Sequence, residues 1–455
     1  MNPDNPTTRR LFLAAAGSLA AARQAQAKKI KPSVTARSAS RVPGANDRIR
    51  IGMIGVGIMG TGHLRAFVRQ QEETKDIEVA AVCDVYKRHR ERAKAISKLE
   101  DKDIYIEYRE LLARPDIDCV LIATPDHWHA QMAIDAFAAG KDVYLQKPST
   151  LTVEESAQVM EAAARYNRVL QVGSQFLSDA RWHKVKELIG EGAIGELLWA
   201  QTTYSRNSVA GEWNYYIDEE ASPETIDWKR WLGPAPKRPF SAERFFRWRK
   251  YWDYSNGIAS DLYYHRVGPI LFAMGPAWPT RVAGGGGIYV QKDREVPDTL
   301  ALLIEYPNFM IMVAGSMANA APNRYLPQAI YGHSGTIVVE NERVIVTPEM
   351  FVAKALNRST ETRTFEFPNA QREMQRRHTD NFFECMRTRK TPVLGPELAH
   401  QIMLSVMLGC ESYRKGELEL YDSAARRRTR RAPARPSYEG DGKNHPLGPK
   451  KEPSV

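Results

Sequence analysis

Three groups of residues carry types and spacings that chemistry uses. Gly55-Val56-Gly57-Ile58-Met59-Gly60 is a G-x-G-x-x-G run between an apolar stretch, Ile49 to Ile54, and a helix-forming one. Gly55 permits a tight turn, Gly57 lets a pyrophosphate approach the backbone, and Gly60 lets a helix pack closely on its strand. Ile58 and Met59 begin that helix, whose N-terminus faces the phosphates. Asp84 ends a second apolar run, in the place where an acid binds ribose hydroxyls. A carboxylate there repels a 2′-phosphate and favours NAD, while Lys87 and Arg88 keep NADP open. Thr124-Pro125-Asp126-His127-Trp128-His129 and Gln146-Lys147-Pro148 follow two further apolar runs. Asp261 and His265 lie four apart, which on a helix puts them on one face, about 6 Å apart at Cβ. A carboxylate beside an imidazole holds its tautomer and raises its basicity, as proton abstraction from an alcohol requires. By spacing alone, an ordinary helix-surface pair is the commoner reading.

The elements that must position these groups change character along the chain. Strands at Ile77–Val82, Ile117–Ala123 and Asp142–Leu145 alternate with helices at His63–Gln71, Lys87–Lys98 and Ala130–Ala139. That alternation predicts a doubly wound parallel sheet over residues 48–174, an α/β nucleotide-binding domain. Ligands in such sheets bind outside the carboxyl ends of the strands, so Thr124, Pro125, His127, Gln146 and Lys147 should border the nicotinamide. Residues 175–425 read as an α+β domain with a largely antiparallel sheet: Gly195 to Arg206 alternates, and hairpins turn at Pro307-Asn308 and Asn341. Gly284 to Gly287 lacks the Lys-Ser/Thr of a phosphate loop and reads as a flexible connection. His127 and His129 share a face only on a strand, which Thr124-Pro125 should have ended, so no metal site is expected.

With these residues in hand, the sequence resembles the Gfo/Idh/MocA superfamily of glucose-fructose oxidoreductases and inositol dehydrogenases. The fingerprint, the Lys-Pro after the fifth strand and the Asp-x-x-x-His carry the resemblance over roughly residues 48–425. The family usually has Glu-Lys-Pro where this chain has Gln146. The resemblance implies an open sheet beside the nucleotide domain, a cleft between them, a cis Lys147–Pro148 bond and a homo-oligomer built on the open face. It further implies His265 as base, Asp261 as its orienter or a sugar-hydroxyl ligand, and Lys147 as the cation stabilising an alkoxide. Arg181, Trp182, His183 and Tyr264 are candidate contacts to a sugar or cyclitol. Six of the nine tryptophans fall within 199–252; most should pack between a loop and the sheet, two or three on a sugar ring.

The net charge of +10 does not indicate nucleic acid, because residues 1–31 carry +5 and residues 426–455 carry +6, leaving the body near neutral. The first segment reads as a twin-arginine export signal: Arg9-Arg10, an apolar run from Leu11 to Ala22 too short to span a membrane, then Ala25-Gln26-Ala27. Residues 426–455 read as a solvated basic tail. The four cysteines sit in apolar patterns as unpaired small hydrophobes. A periplasmic enzyme lacks a pool to reoxidise NADH, so export predicts a cofactor that is held and regenerated in place. Three functions follow: a sugar or cyclitol oxidoreductase; an NAD-dependent glycosidase working by transient 3-hydroxyl oxidation, with Tyr263, Tyr264, His183 or His127 moving protons; or a sugar-binding protein without turnover.

Overall fold

The computed structural model describes residues 29–32 and 48–432, so the export segment and the tail beyond 432 lie outside the described residues. Six strands, β1 (Ile49–Ile54), β2 (Ile77–Cys83), β3 (Ile104–Tyr105), β4 (Cys119–Ile122), β5 (Asp142–Gln146) and β6 (Leu170–Gly173), form one parallel sheet in the order β3-β2-β1-β4-β5-β6. They are almost wholly buried because helices cover both faces, as parallel sheets require. One covering helix comes from far along the chain. Ala370–Thr388 returns from the second domain and sets Phe382, Phe383 and Met386 against Phe67 and Tyr144. No periodicity within residues 48–174 signals that contribution.

The second sheet has ten strands: β7 (Leu197–Thr203), β8 (Arg281–Gly287), β9 (Thr299–Glu305), β10 (Met310–Ser316), β11 (Gln328–Gly332), β12 (Gly335–Val339), β13 (Arg343–Pro348), β14 (Arg363–Glu366), β15 (Glu419–Asp422) and β16 (Arg427–Arg428). All neighbours pair antiparallel except β7 and β10. The fold is thus α/β, a Rossmann sheet followed by a mostly antiparallel one. One face of the second sheet buries a core against helices Tyr264–Met274 and Pro396–Lys415. The four-glycine run is β8 itself, not a flexible connection. A Cβ at Gly284 would stand 2.0 Å from the Gly409 carbonyl oxygen, so the helix can lie on the strand only where side chains are missing.

Two further expectations change. The basic run is ordered through residue 432: Arg428 pairs with Glu411 at 2.8 Å and Glu154 at 3.2 Å, and β16 pairs with β15. The aromatic-rich stretch between β7 and residue 257 forms its own small core, crossing to the nucleotide domain as a strap. Trp228 stacks on Trp231 at 4.7 Å, and Trp231, Phe245 and Tyr254 pack with Tyr86 just beyond β2. Main-chain bonds fasten the strap: Lys87 N–H donates to Thr225 O at 2.9 Å and Asp227 N–H to Val85 O at 3.1 Å. All four cysteines are free and buried. Among the described residues no helix is long and apolar enough to cross a membrane.

Candidate active site

The strap roofs a cleft of about 1090 Å³ between the carboxyl ends of the first sheet and the second domain. Its nucleotide half is built by the glycine motif. Gly55 sits at φ +82° against the Ala123 carbonyl, and a Cβ at Gly60 would lie 2.0 Å from Gly55 O. Helix Ile58–Thr74 therefore starts hard against β1, and Gly57, its N-cap, offers no side-chain hydrogen bond. The first-turn N–H groups are left for a ligand, with the open backbone at Gly57 and the exposed Ile58 and Met59 bordering the cleft. Asp84 accepts from Val56 N–H at 2.8 Å and Tyr86 N–H at 2.9 Å. Burial opposes its ionisation, but His89 together with the Tyr86 and Val56 N–H groups lowers its pKa. Arg88 turns away to Asp218 at 2.7 Å, and Lys87 is 3.8 Å from Glu91. The basic residues that kept a 2′-phosphate open are thus engaged elsewhere. These residues fit NAD, and NAD is the cofactor of this fold family.

Thr124, Pro125, Gln146 and Lys147 border the same cleft, and the Lys147–Pro148 bond is cis. Lys147 Nζ donates to Asp261 Oδ1 and to Asp261 O, both at 2.7 Å. Asp261 lies in a turn of π-helix, Ala259–Tyr263, whose longer hydrogen-bond step leaves that carbonyl available. Arg249 Nε donates to the same carboxylate at 3.1 Å. Burial would raise the Asp261 pKa, but Lys147 and Arg249 hold it well below the usual carboxylate range. Asp261 therefore orients Lys147 rather than His265, contrary to the pairing expected from the spacing. His265 shares Nδ1 with Ser174 Oγ at 2.8 Å. Burial, then Lys147, pushes its pKa well below 6.5, so the ring is neutral. Gln146 is aimed at buried His63 and at Lys147 N–H, not at the Lys147 ammonium. Asp261 supplies the carboxylate that Gln146 lacks.

The expected substrate contacts are not in the cleft. Arg181 is spent on Asp179 and on the Glu340 and Asn341 carbonyls; Trp182 is in the core. His183 faces Leu177 O and Phe272. The Tyr264 hydroxyl donates to Ala399 O at 3.1 Å, and Tyr263 to Leu300 O. Arg181, Trp182, Tyr263 and Tyr264 are buried within the second domain, and His183 lies on the exposed side of its helix. His127 is also off the cleft: its Nε2 meets Trp231 O at 2.9 Å, beside Trp128 Nε1 at 2.8 Å, so this pair anchors the strap. The rest of the cleft wall includes Gln175, Phe176, Tyr204, Arg206, Trp248 and Arg249, with Asp126. Asp126 Oδ2 is buried without a hydrogen-bond partner among the described residues, and burial raises its pKa well above 3.8. Its place directly after Thr124-Pro125, at a strand end, was the available signal; Arg206 closes an alternating run that marks a strand and not a cleft residue, and Arg249 sits on an aperiodic stretch that gives no signal.

The profile of an oxidoreductase family with an NAD-binding Rossmann fold matches residues 49–174, and that of the same family's C-terminal α/β domain matches residues 179–283. A glycosyl hydrolase family 109 protein of Shewanella sp. strain W3-18-1 is 31 % identical over 212 residues, 43 % of this chain and 45 % of that one. An alpha-N-acetylgalactosaminidase of Shewanella oneidensis is 31 % identical over 233 residues, 46 % of this chain and 50 % of the other. The match thus spans about half the length of these relatives. Levoglucosan dehydrogenase in complex with NADH and L-sorbose has the same fold, at TM-score 0.64 and 21 % identity, covering 82 % of this chain and 98 % of that one. Aldose-aldose oxidoreductase from Caulobacter crescentus shares it at TM-score 0.61 and 16 % identity, over 82 % and 99 %. With both domain profiles in sequence and the fingerprint, Lys-Pro and Asp-x-x-x-His meeting in one cleft, this chain belongs to the Gfo/Idh/MocA family of NAD-binding oxidoreductases.

Proposed function

We propose that the protein oxidises a secondary hydroxyl of a sugar or cyclitol, with NAD held in the cleft. The observation that carries this is the meeting of Lys147, Asp261 and neutral His265 beside the strand ends that border the nucleotide half. Bound NAD supplies a hydride acceptor. With Nδ1–H donated to Ser174 Oγ, His265 keeps the Nε2 lone pair free to take the hydroxyl proton. Lys147, fixed by Asp261, stabilises the alkoxide oxygen that results. By roofing the cleft, the strap supports a cofactor that stays with the chain.

A second reading is favoured by Asp126. A carboxyl at the cleft wall whose pKa burial raises can act as the acid for a departing glycosidic oxygen, which suits transient oxidation within glycoside cleavage, and the names of the Shewanella relatives accord with it. Export by the twin-arginine route, inferred from Arg9-Arg10 and the apolar run after it, suits such a self-contained cycle, and equally a paired one in which a second sugar takes the hydride back. The outer face of the second sheet, where Trp199, Leu303, Met310, Met312 and Tyr331 keep part of their surface, supports association of copies.

The test mixes holoprotein with a panel of sugars and glycosides, following the near-ultraviolet absorbance of reduced nicotinamide together with product release. A single-turnover rise supports oxidation. Glycoside cleavage with no net change of nucleotide supports the second reading. Neither result with any sugar or glycoside overturns both.

A further inference from the structure

We propose that the substrate is an anionic sugar, one that carries a carboxylate. This rests on the sugar-oxidising assignment above and names the class of sugar. The observation is an imbalance of charge around Asp261 and His265. Lys147 and Arg249 share a single carboxylate, Asp261, at 2.7 and 3.1 Å. Arg206, on the cleft wall, donates to the Tyr204 hydroxyl at 2.9 Å, and the one carboxylate within 4 Å among the described residues, Glu212, is 3.9 Å away. Arg266 stands behind that wall, its guanidinium 4.5 Å from the Tyr204 ring and 5.6 Å from Phe176. Its Nε is buried without a hydrogen-bond partner among the described residues. Asp126 is a further carboxyl on the cleft wall, and burial opposes its ionisation.

Four cations thus stand in or behind this wall against one fully engaged carboxylate, one distant one and one, Asp126, whose ionisation burial opposes. Arginine cannot shed its charge, and a guanidinium withdrawn from water without a counter-charge is costly. A cleft arranged this way gains when an anion enters it. The dinucleotide's own phosphates do not supply that anion, because the uncapped helix N-terminus at Gly57–Met59 is built for them. Two planar guanidiniums on the wall, Arg206 and Arg249, match a carboxylate better than a diffuse sugar dipole. Arg206 makes no bond to Lys147, Asp261 or His265 among the described residues, so its role is to choose the substrate rather than to move a proton.

The experiment measures calorimetric binding to purified holoprotein of D-glucuronate, D-galacturonate and their methyl glycosides, against the matching neutral sugars and D-galactose 6-sulfate. The expected result is that at least one uronate or uronide binds about ten-fold or more tightly than its neutral counterpart, roughly the effect of one charge-assisted pair. Arg206→Gln should lose that preference and Arg206→Lys retain most of it, both with wild-type nucleotide content as the check on folding. Equal or tighter binding of the neutral sugars, a preference confined to the sulfate, no binding by any of them, or a preference that survives Arg206→Gln overturns the proposal. Nicotinamide absorbance separates the two layers. Neutral sugars that bind as tightly as uronates and reduce the nucleotide overturn the anion assignment and leave oxidation standing. Uronates preferred ten-fold but never oxidised support the anion assignment and overturn the oxidation reading.

Discussion

Lys147 is the side chain through which the two domains meet at the reacting centre. Its ammonium joins the end of β5 to the π-turn at Asp261, and Arg249 holds the same carboxylate from the strap. Lys147→Met should therefore fold, because Asp261 keeps one cationic partner. Turnover should fall about 10²–10³-fold or more while the nucleotide stays bound, as read by kcat and by nucleotide content. An unchanged assayed function would favour a binding protein. Asp126→Asn separates the two catalytic readings. It should slow cleavage of a glycoside about 10²–10⁴-fold and leave oxidation of a free sugar within a few-fold; equal effects on both would remove Asp126 from the acid role. That Lys147, Asp261 and His265 would meet in one cleft was legible in the sequence because each belongs to a recognisable pattern, all three through the family resemblance. The pairing within the trio was not, since spacing on a helix says nothing of a lysine arriving from another domain.

At the scale of elements, the glycine turn and the strap decide whether a nucleotide is held. Gly60→Ala would drive a Cβ to 2.0 Å from the Gly55 carbonyl, so the helix must back away from β1. The expected outcome is a protein with much reduced nucleotide content, measured after desalting; wild-type content would contradict the tight-turn argument. Trp231 buries its ring between Trp228, Phe245 and Tyr254, and its carbonyl receives His127 and Trp128. Trp231→Ala should cost about 3–5 kcal/mol of local packing and speed nucleotide loss. A lower Tm with no faster release would show that the strap is scaffolding only. The Rossmann alternation was readable because buried parallel strands and amphipathic helices differ in period. The strap was not: its aromatics have no period, and their partner, Tyr86, is far away in sequence.

At the scale of the molecule, buried histidines set the response to acid. His63, His127, His129, His378 and His400 are each held down to about 4 by burial. In the unfolded chain they titrate near 6.5, so the stability supplied by keeping them neutral is present above pH 6.5 and lost as pH falls toward 4. Tm should be level near neutrality and decline steeply between pH 6.5 and 4; a flat profile down to 4.5 would contradict the burial argument. The carboxyl ends of the nucleotide domain's strands, the strap and the turn at Asp261–His265 together line one cleft. The most direct test of the account is to denature the purified protein, identify the released nucleotide by mass spectrometry and compare its amount with that of the chain. The account predicts close to one NAD per chain; little or no nucleotide, or NADP in its place, would contradict it.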